Sequence, residues 1–182
     1  MIAAVAALLA STTPAPAAPA ATDPKAPKDF VALSSGDPTL LQEMRCVTPH
    51  DFVGERVDGY RQPLCVLTRP AAEALHKAQR KLLHQGCTTR SRTATAPSAR
   101  FPDNSIDMGT GFDCFDDTLS HTSDPHIQGR QRANRLLLKN TLEGLGFVNP
   151  PEEWWHYTFK PEAHPDTYFD FPVSRTSLSG AH

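Results

Sequence analysis

The sequence predicts one α+β domain with two main helices and a small antiparallel sheet. Two stretches carry apolar residues at helical spacing, and a glycine follows each of them. Short apolar runs separated by proline and glycine indicate strands around these helices. The chain has 182 residues, of which 39% are hydrophobic and 21% charged, as is usual for a single globular domain. We predict that this domain covers residues 41–182.

The N-terminal segment, residues 1–21, is an apolar run followed by an alanine- and proline-rich stretch. The run is too short to span a bilayer, and it resembles the apolar region of a secretory signal. No lysine or arginine precedes Lys25, so a flexible leader is the alternative interpretation. A signal predicts an exported, periplasmic protein without a stable membrane span, whereas a plain leader leaves the protein cytoplasmic.

If the leader is a signal, the mature chain should begin between Ala17 and Asp23, because small residues of the kind that signal peptidase accepts flank that region. Mass spectrometry of the exported protein measures this start directly. An intact Met1 in exported material would contradict the prediction.

The first half of the domain is predicted to hold one strand and one helix. Residues 22–40 are rich in proline, aspartate, lysine and serine, which is typical of a linker with no core of its own. An apolar run at residues 63–67 indicates a short strand. A helix is expected to follow, with Thr68 as its cap, Pro70 in its first turn and Gly86 at its end. Its apolar positions are Ala71, Ala72, Leu75, Ala78, Leu82 and Leu83.

A second helix is predicted from Gly129 to Leu145, with Gly146 as its stop signal. Leu137, Leu138, Leu142 and Leu145 form its apolar stripe. Its arginines, Arg130, Arg132 and Arg135, are expected on a solvated face. Extended segments are predicted at residues 147–148, 154–159 and 168–173, with prolines between them.

The overall charge argues against a nucleic-acid partner. The formal net charge is -2 and the pI is about 6.4, so the chain has no basic field to hold a polyanion. The sequence leaves the oligomeric state open.

Four cysteines, Cys46, Cys65, Cys87 and Cys114, fit an oxidising compartment, where one or two disulfides would form. Four buried free thiols are the alternative, because cysteine is among the residues most often found in protein interiors.

Glu153 and His156 are the strongest candidates for chemistry. A catalytic zinc ion needs about three protein ligands and a nearby carboxylate that takes a proton from the bound water. His156 suits the ligand and Glu153 the base. Residues three apart on a strand face opposite sides, so the pair requires Glu153 on a preceding turn. We expect Trp154 and Trp155 to wall the site and exclude water. Ordinary packing at a strand edge is the alternative.

Other polar residues offer weaker candidates. His121, Asp124 and His126 lie close together in the sequence and carry ligand atoms that suit zinc, although a polar loop before a helix is the simpler interpretation. Cys114 with His121 suggests a thiol nucleophile. We expect instead that Cys114, which precedes Phe115, is a small buried hydrophobic residue. The remaining candidates, His50, His76, His84 and His164, are expected at the surface or at caps.

Several motifs together resemble the VanX-type D-alanyl-D-alanine dipeptidases, a zinc peptidase family. The resemblance covers residues 41–173 apart from one gap. Its motifs are DFVG at residues 51–54, VDGY at 57–60, MGTGFDCFD at 108–116, SH at 120–121, EWWHY at 153–157 and HPDTYFDFPV at 164–173.

The resemblance implies a function and a role for each matching residue. It implies hydrolysis of the dipeptide D-Ala-D-Ala in cell-wall metabolism, with one Zn²⁺ ion as cofactor. Glu153 would be the general base, His156 a zinc ligand, and Asp113 the partner of the substrate ammonium.

The gap removes further residues of the family pattern. The family carries a DxYRP motif and an SxHxxGxxxD motif between its first helix and MGxxFD, and residues 87–104 stand there in this chain. Two of the family's zinc ligands and one arginine therefore have no counterpart. An internal deletion is our hypothesis, and sequencing the locus again tests it. The alternative function is accordingly a silent remnant that binds peptide or does not fold stably.

Overall fold

The computed structural model describes residues 23–51, 53–85, 90–91, 106–115 and 118–179. The predicted leader, residues 1–21, and most of the predicted junction near 87–104 lie outside the described residues. The helices and strands, in chain order, are β1 (Phe30–Ala32), β2 (Leu41–Gln42), β3 (Val66–Thr68), α1 (Arg69–Leu83), β4 (Arg90–Ser91), α2 (Gly129–Glu143), β5 (Phe147–Val148) and β6 (Thr158–Phe159). Short 3₁₀ turns are Leu33–Ser35, Arg45–Val47 and Arg175–Ser177.

The predicted α+β class is confirmed, with two helices and small antiparallel sheets. Strand β1 pairs antiparallel with β3, and β5 pairs antiparallel with β6. Strand β2 pairs parallel with β4, so the described strands form three ladders of two strands each. Within the described ranges, no helix is long and apolar enough to cross a membrane.

The core lies between α1 and α2. Proline is tolerated in the first turn of a helix because its missing N–H has no partner there, and Pro70 occupies that position in α1. The predicted apolar positions of α1 are buried, Ala78 and Leu82 fully, except for Leu83 at the end of the helix, which is 42% exposed. Leu138 and Leu142 of α2 are fully buried in the same cluster. Both predicted helices are therefore confirmed, although α2 ends at Glu143 rather than Leu145.

The segment that we predicted to be a linker contributes to this core. Phe30–Ala32 forms a strand against Val66–Thr68, and Leu33 is fully buried. The Ala26 amide also donates to the Ser177 carbonyl at 2.8 Å, which ties the segment to the C-terminal region. A short apolar run is enough to pair and pack, even where proline and charged residues dominate the composition.

Two predicted extended segments are shorter than expected. Only Thr158–Phe159 is a strand within residues 154–159, because the residues before it form turns. Residues 168–173 form no ladder, and their one bridge joins Val173 to Tyr60. Pro172 has no N–H to donate, which limits pairing there. This bridge nevertheless brings two of the family-like motifs, residues 57–60 and 164–173, into contact.

The described cysteines differ from the prediction of buried thiols. Cys46 and Cys65 are half-buried, and Cys114 is exposed. Cys114 is therefore not the buried hydrophobe that we expected. It directly follows Asp113, whose φ is positive. Cys87 lies outside the described residues, so disulfide formation by that residue stays a prediction.

Candidate active site

Glu153 and His156 lie on consecutive turns that bring their side chains together. The Glu153 N–H donates to the Pro150 carbonyl at 3.3 Å, and the His156 N–H donates to the Glu153 carbonyl at 3.2 Å. Glu153 Oε2 then lies 3.1 Å from His156 Nδ1. The structure thus has the turn that this pairing requires, in place of the strand that would have separated the two side chains.

Both members of the pair are open to solvent. The side chain of Glu153 is 28% exposed and that of His156 is 54% exposed. A solvent-exposed pair of this kind contributes little to stability, about 0–1 kcal/mol. The carboxylate and the imidazole are therefore accessible to a small molecule, and the fold does not depend on their contact.

The two tryptophans are core anchors, which corrects the expectation that they wall the site. Each is 2% exposed, and their rings meet edge to face at 5.5 Å. Trp154 Nε1 donates to Thr110 Oγ1 at 2.9 Å, which satisfies the one polar atom of its ring. Both rings are buried in the hydrophobic core, so they anchor the turn that carries Glu153 and His156 to that core.

Asp113 lies in a segment that adjoins this turn. Its φ of 57° is in the left-handed region, which aspartate tolerates better than most residues. The neighbouring Phe112 lies beneath the Arg45 guanidinium at 4.7 Å, and the Phe115 ring meets the Trp155 ring at 5.9 Å. Unusual backbone conformations concentrate at functional sites, so the position of Asp113 is consistent with a binding role.

Arg135 links this segment to the loop before α2, and the expectation that it would be solvated is wrong. It is fully buried, whereas Arg130 and Arg132 are exposed. Its guanidinium donates to the carbonyls of Met108 at 2.7 Å, His121 at 2.6 Å and Leu119 at 2.9 Å. These backbone groups replace the water that a charged side chain would otherwise require.

The environment of Arg135 also changes its proton affinity. Burial lowers the pKa of Arg135 to about 10, although the carboxylates of Asp124 and Asp107 act in the opposite direction. The guanidinium is still charged at neutral pH. A signal for its burial is present in the sequence, because residues 135, 138 and 142 recur at the spacing of one helical face.

The alternative candidates around Asp124 form a structural loop. The buried Asp124 carboxylate accepts the backbone N–H of His126 at 2.7 Å and contacts His126 Nδ1 at 3.0 Å. Burial would by itself raise the pKa of Asp124, but the hydrogen bonds from His126 outweigh it and lower that pKa. This arrangement fits the polar loop before a helix. The backbone of His121 is part of this loop: its N–H donates to the Thr118 carbonyl, and its carbonyl accepts from Arg135.

The remaining histidines have ordinary structural environments. His50 and His84 are exposed, and His84 caps the C-terminus of α1. His76 is half-buried, with its ring 3.2 Å from the Leu33 carbonyl. His164 is also half-buried, and its Nε2 lies 2.8 Å from Asp29 Oδ2.

A complete zinc site is not found in the described part of the chain. There, no three histidine, cysteine, aspartate or glutamate side chains converge as metal ligands would. Glu153 and His156 are two such groups in contact, and a catalytic zinc needs about three ligands in addition to the base. The described donors therefore do not fit a whole zinc site.

The hydroxyl of Tyr157 provides a stability test next to the site. Among the described residues it is buried without a hydrogen-bond partner, and burial raises its pKa above the ordinary value. An unpaired buried hydroxyl costs about 1–3 kcal/mol. We therefore expect Tyr157→Phe to increase the free energy of unfolding by about 1 kcal/mol in urea denaturation. The matched change Tyr168→Phe, at a fully exposed ring, should have no effect, and a destabilised Tyr157→Phe variant would contradict the prediction.

Comparison with known proteins identifies relatives for the part of the chain that holds these residues. The sequence model of the D-ala-D-ala dipeptidase family matches residues 91–174. The D-alanyl-D-alanine dipeptidase of Streptomyces coelicolor is 45% identical over 67 residues, which are 37% of this chain and 33% of the relative. That of Enterococcus faecalis is 41% identical over 69 residues, 38% of this chain and 34% of the relative. That of Escherichia coli is 43% identical over 54 residues, 30% of this chain and 28% of the relative.

The matched stretch spans about a third of the length of these curated relatives. The match of the family model contains the geometry described above, because Asp113, Glu153 and His156 all fall within residues 91–174. The resemblance that the motifs indicate is thus confirmed for residues 91–174, which are homologous to the D-alanyl-D-alanine dipeptidases, a family of peptide hydrolases. The motifs at residues 51–54 and 57–60 lie outside this match.

Proposed function

We propose that this protein is a dipeptidase homologue that acts on a dipeptide with a free amino terminus, D-Ala-D-Ala being the expected substrate. The observation that carries the proposal is the contact of Glu153 with His156 at 3.1 Å, on an exposed turn within the homologous region. The homology supplies the reaction class, and the geometry supplies an accessible carboxylate beside an imidazole. The cell-wall setting and export to the periplasm belong to the same proposal.

Each site residue has a defined role in this reaction. The Glu153 carboxylate accepts a proton from water as the water oxygen attacks the peptide carbonyl carbon. The carbon–nitrogen bond then breaks, and Glu153 returns the proton to the leaving amine. The Asp113 carboxylate pairs with the substrate ammonium, and this selects a free amino terminus.

Zinc is the proposed cofactor, with His156 as one ligand. An imidazole nitrogen is a preferred zinc ligand, and the ion supplies Lewis-acid polarisation when bound. The described residues do not complete its coordination, so we assign it no step. Since each missing ligand removes a bond that the metal would gain in place of water, we expect weak zinc affinity and low activity.

A peptide-binding protein that does not cleave its ligand is the second candidate. The lack of a three-ligand cluster in the described ranges favours it. Pairing of Asp113 with an ammonium needs no metal, so binding would persist where hydrolysis does not.

Two measurements on the purified protein test the proposal. The first is calorimetric titration with Zn²⁺ of the parent, of His156→Ala, and of His50→Ala as a control at an exposed histidine. We expect weak binding that is lost in His156→Ala and kept in the control. The second is release of free alanine from D-Ala-D-Ala and from its N-acetylated form, which should not be cleaved.

The outcomes separate the two candidates. Zinc binding with hydrolysis of the free dipeptide supports the dipeptidase. Dipeptide binding without zinc binding and without hydrolysis supports the peptide-binding protein that does not cleave its ligand. Equal zinc affinity in the parent and His156→Ala would contradict the assigned ligand.

A further inference from the structure

The side-chain amide of Asn149 holds both ends of the turn that carries Glu153 and His156. Asn149 follows β5 directly and is 7% exposed. Its Nδ2 donates to the Glu153 carbonyl at 2.7 Å and to the His156 carbonyl at 2.9 Å. One buried amide therefore fixes the backbone at both members of the pair, without contacting either side chain by a hydrogen bond of its own.

Thr122 orients this amide from the opposite side. Its Oγ1 donates to Asn149 Oδ1 at 2.5 Å, and it is 3% exposed. Its backbone N–H donates to the Pro151 carbonyl at 2.9 Å, and the Trp154 N–H donates to the Ser120 carbonyl at 3.0 Å. The loop at residues 120–122 is thus joined to the turn at three points, and one of them selects the orientation of Asn149.

The chemistry of the amide explains why asparagine suits this position. Asparagine offers two donor hydrogens and one acceptor oxygen on a short side chain, and all of these are used here. Aspartate would place an acceptor against two carbonyl oxygens. Alanine would remove the donor from both carbonyls and leave the Glu153 carbonyl with the His156 N–H alone.

We propose that Asn149, oriented by Thr122, is the positioning residue that keeps the side chains of Glu153 and His156 in contact. This inference rests on the proposed function, because it assigns a purpose to the pair. Catalytic groups must be held within fractions of an ångström, so the surroundings that hold their backbone determine how well they act. The contact of 3.1 Å between the two side chains is the feature that Asn149 maintains.

The test compares variants that differ by one polar atom. Thr122→Val removes the donor to Asn149 with little change in volume, and Thr122→Ser retains that donor. Asn149→Ala removes the amide itself. Two changes at other buried residues are controls. They are Thr141→Val on α2, and Gln79→Ala on α1, where the amide donates to Thr39 at 3.0 Å.

Two readouts follow the site without requiring activity. The first is the pair of imidazole nitrogen resonances of His156 in the metal-free protein, measured by long-range ¹H–¹⁵N spectra. The second is Zn²⁺ affinity by calorimetry. We expect Thr122→Val and Asn149→Ala to move the His156 resonances and to weaken zinc binding about tenfold, the scale of changes just outside a metal site. Thr122→Ser and both controls should match the parent.

Each outcome is decisive. Unmoved His156 resonances in Thr122→Val would overturn the proposal, and this variant decides the question if Asn149→Ala fails to fold. Equal shifts in Thr122→Val and Thr122→Ser, or in the controls, would also overturn it. Shifts confined to Thr122→Val and Asn149→Ala in a protein that neither binds zinc nor cleaves dipeptide would support the positioning role and contradict the proposed function.

Discussion

Replacing Arg135 with alanine should destabilise the protein by more than about 3 kcal/mol, the scale of losing several buried hydrogen bonds to a charged group. The guanidinium donates to the carbonyls of Met108, Leu119 and His121. Its removal takes these hydrogen bonds away, although the His121 carbonyl still accepts the Asp124 N–H at 3.3 Å. It also opens a cavity beneath Trp154, whose ring lies 5.5 Å from the guanidinium carbon. The segment at Met108 and the loop at residues 119–121 would then lose these hydrogen bonds to α2.

Urea unfolding of the variant against the parent measures this loss. Arg132→Ala is the matched control, because Arg132 is an exposed arginine on the same helix, and its effect should be within about 0.5 kcal/mol. Arg135→Lys should lie between the two, since an ammonium cannot reproduce the planar set of donors. Equal stability of Arg135→Ala and Arg132→Ala would show that the buried network is energetically neutral.

Replacing Glu153 with glutamine should lower kcat for D-Ala-D-Ala at least about a hundredfold, the usual scale for a general base. Glutamine has nearly the same shape but cannot take the proton. KM should change little, because the lost interaction acts in the transition state. Glu152→Gln is the matched control, since Glu152 is the exposed neighbour on the same turn.

Steady-state kinetics with added zinc give kcat and KM. Thermal unfolding should show that neither Glu153→Gln nor Glu152→Gln is destabilised, because both side chains are accessible to solvent. His156→Ala should abolish metal binding in parallel. An active protein that tolerates both Glu153→Gln and His156→Ala would make the pair merely structural. The catalytic groups would then have to be sought around His121, Asp124 and His126.

The helices could be predicted because helical periodicity is local. The apolar positions of α1 are separated by three or four residues, so the stripe that is buried in the structure is visible in the sequence. The strands were harder to predict, because each depends on a partner elsewhere in the chain. Phe30–Ala32 becomes a strand only through its pairing with Val66–Thr68, and its proline- and charge-rich surroundings indicated a linker.

The site shows the same division. The sequence alone predicted the pair, since the EWWHY motif and its companions indicate Glu153 and His156 as candidate site residues. It also indicated that the turn after Pro150 must carry Glu153. Which residues hold that turn was not visible, because Thr122 lies 27 residues from Asn149 in the chain.

Tertiary structure decided where the polar side chains near the site point. Arg135 was expected in water, and it is buried because three carbonyls from two other segments converge on its guanidinium. Trp154 and Trp155 were expected to line the site, and they are core anchors because Arg135 lies against the Trp154 ring and Phe115 against the Trp155 ring. A charged or aromatic side chain takes whichever environment satisfies its polar atoms, and the partners that do so here come from distant parts of the chain that meet only on folding.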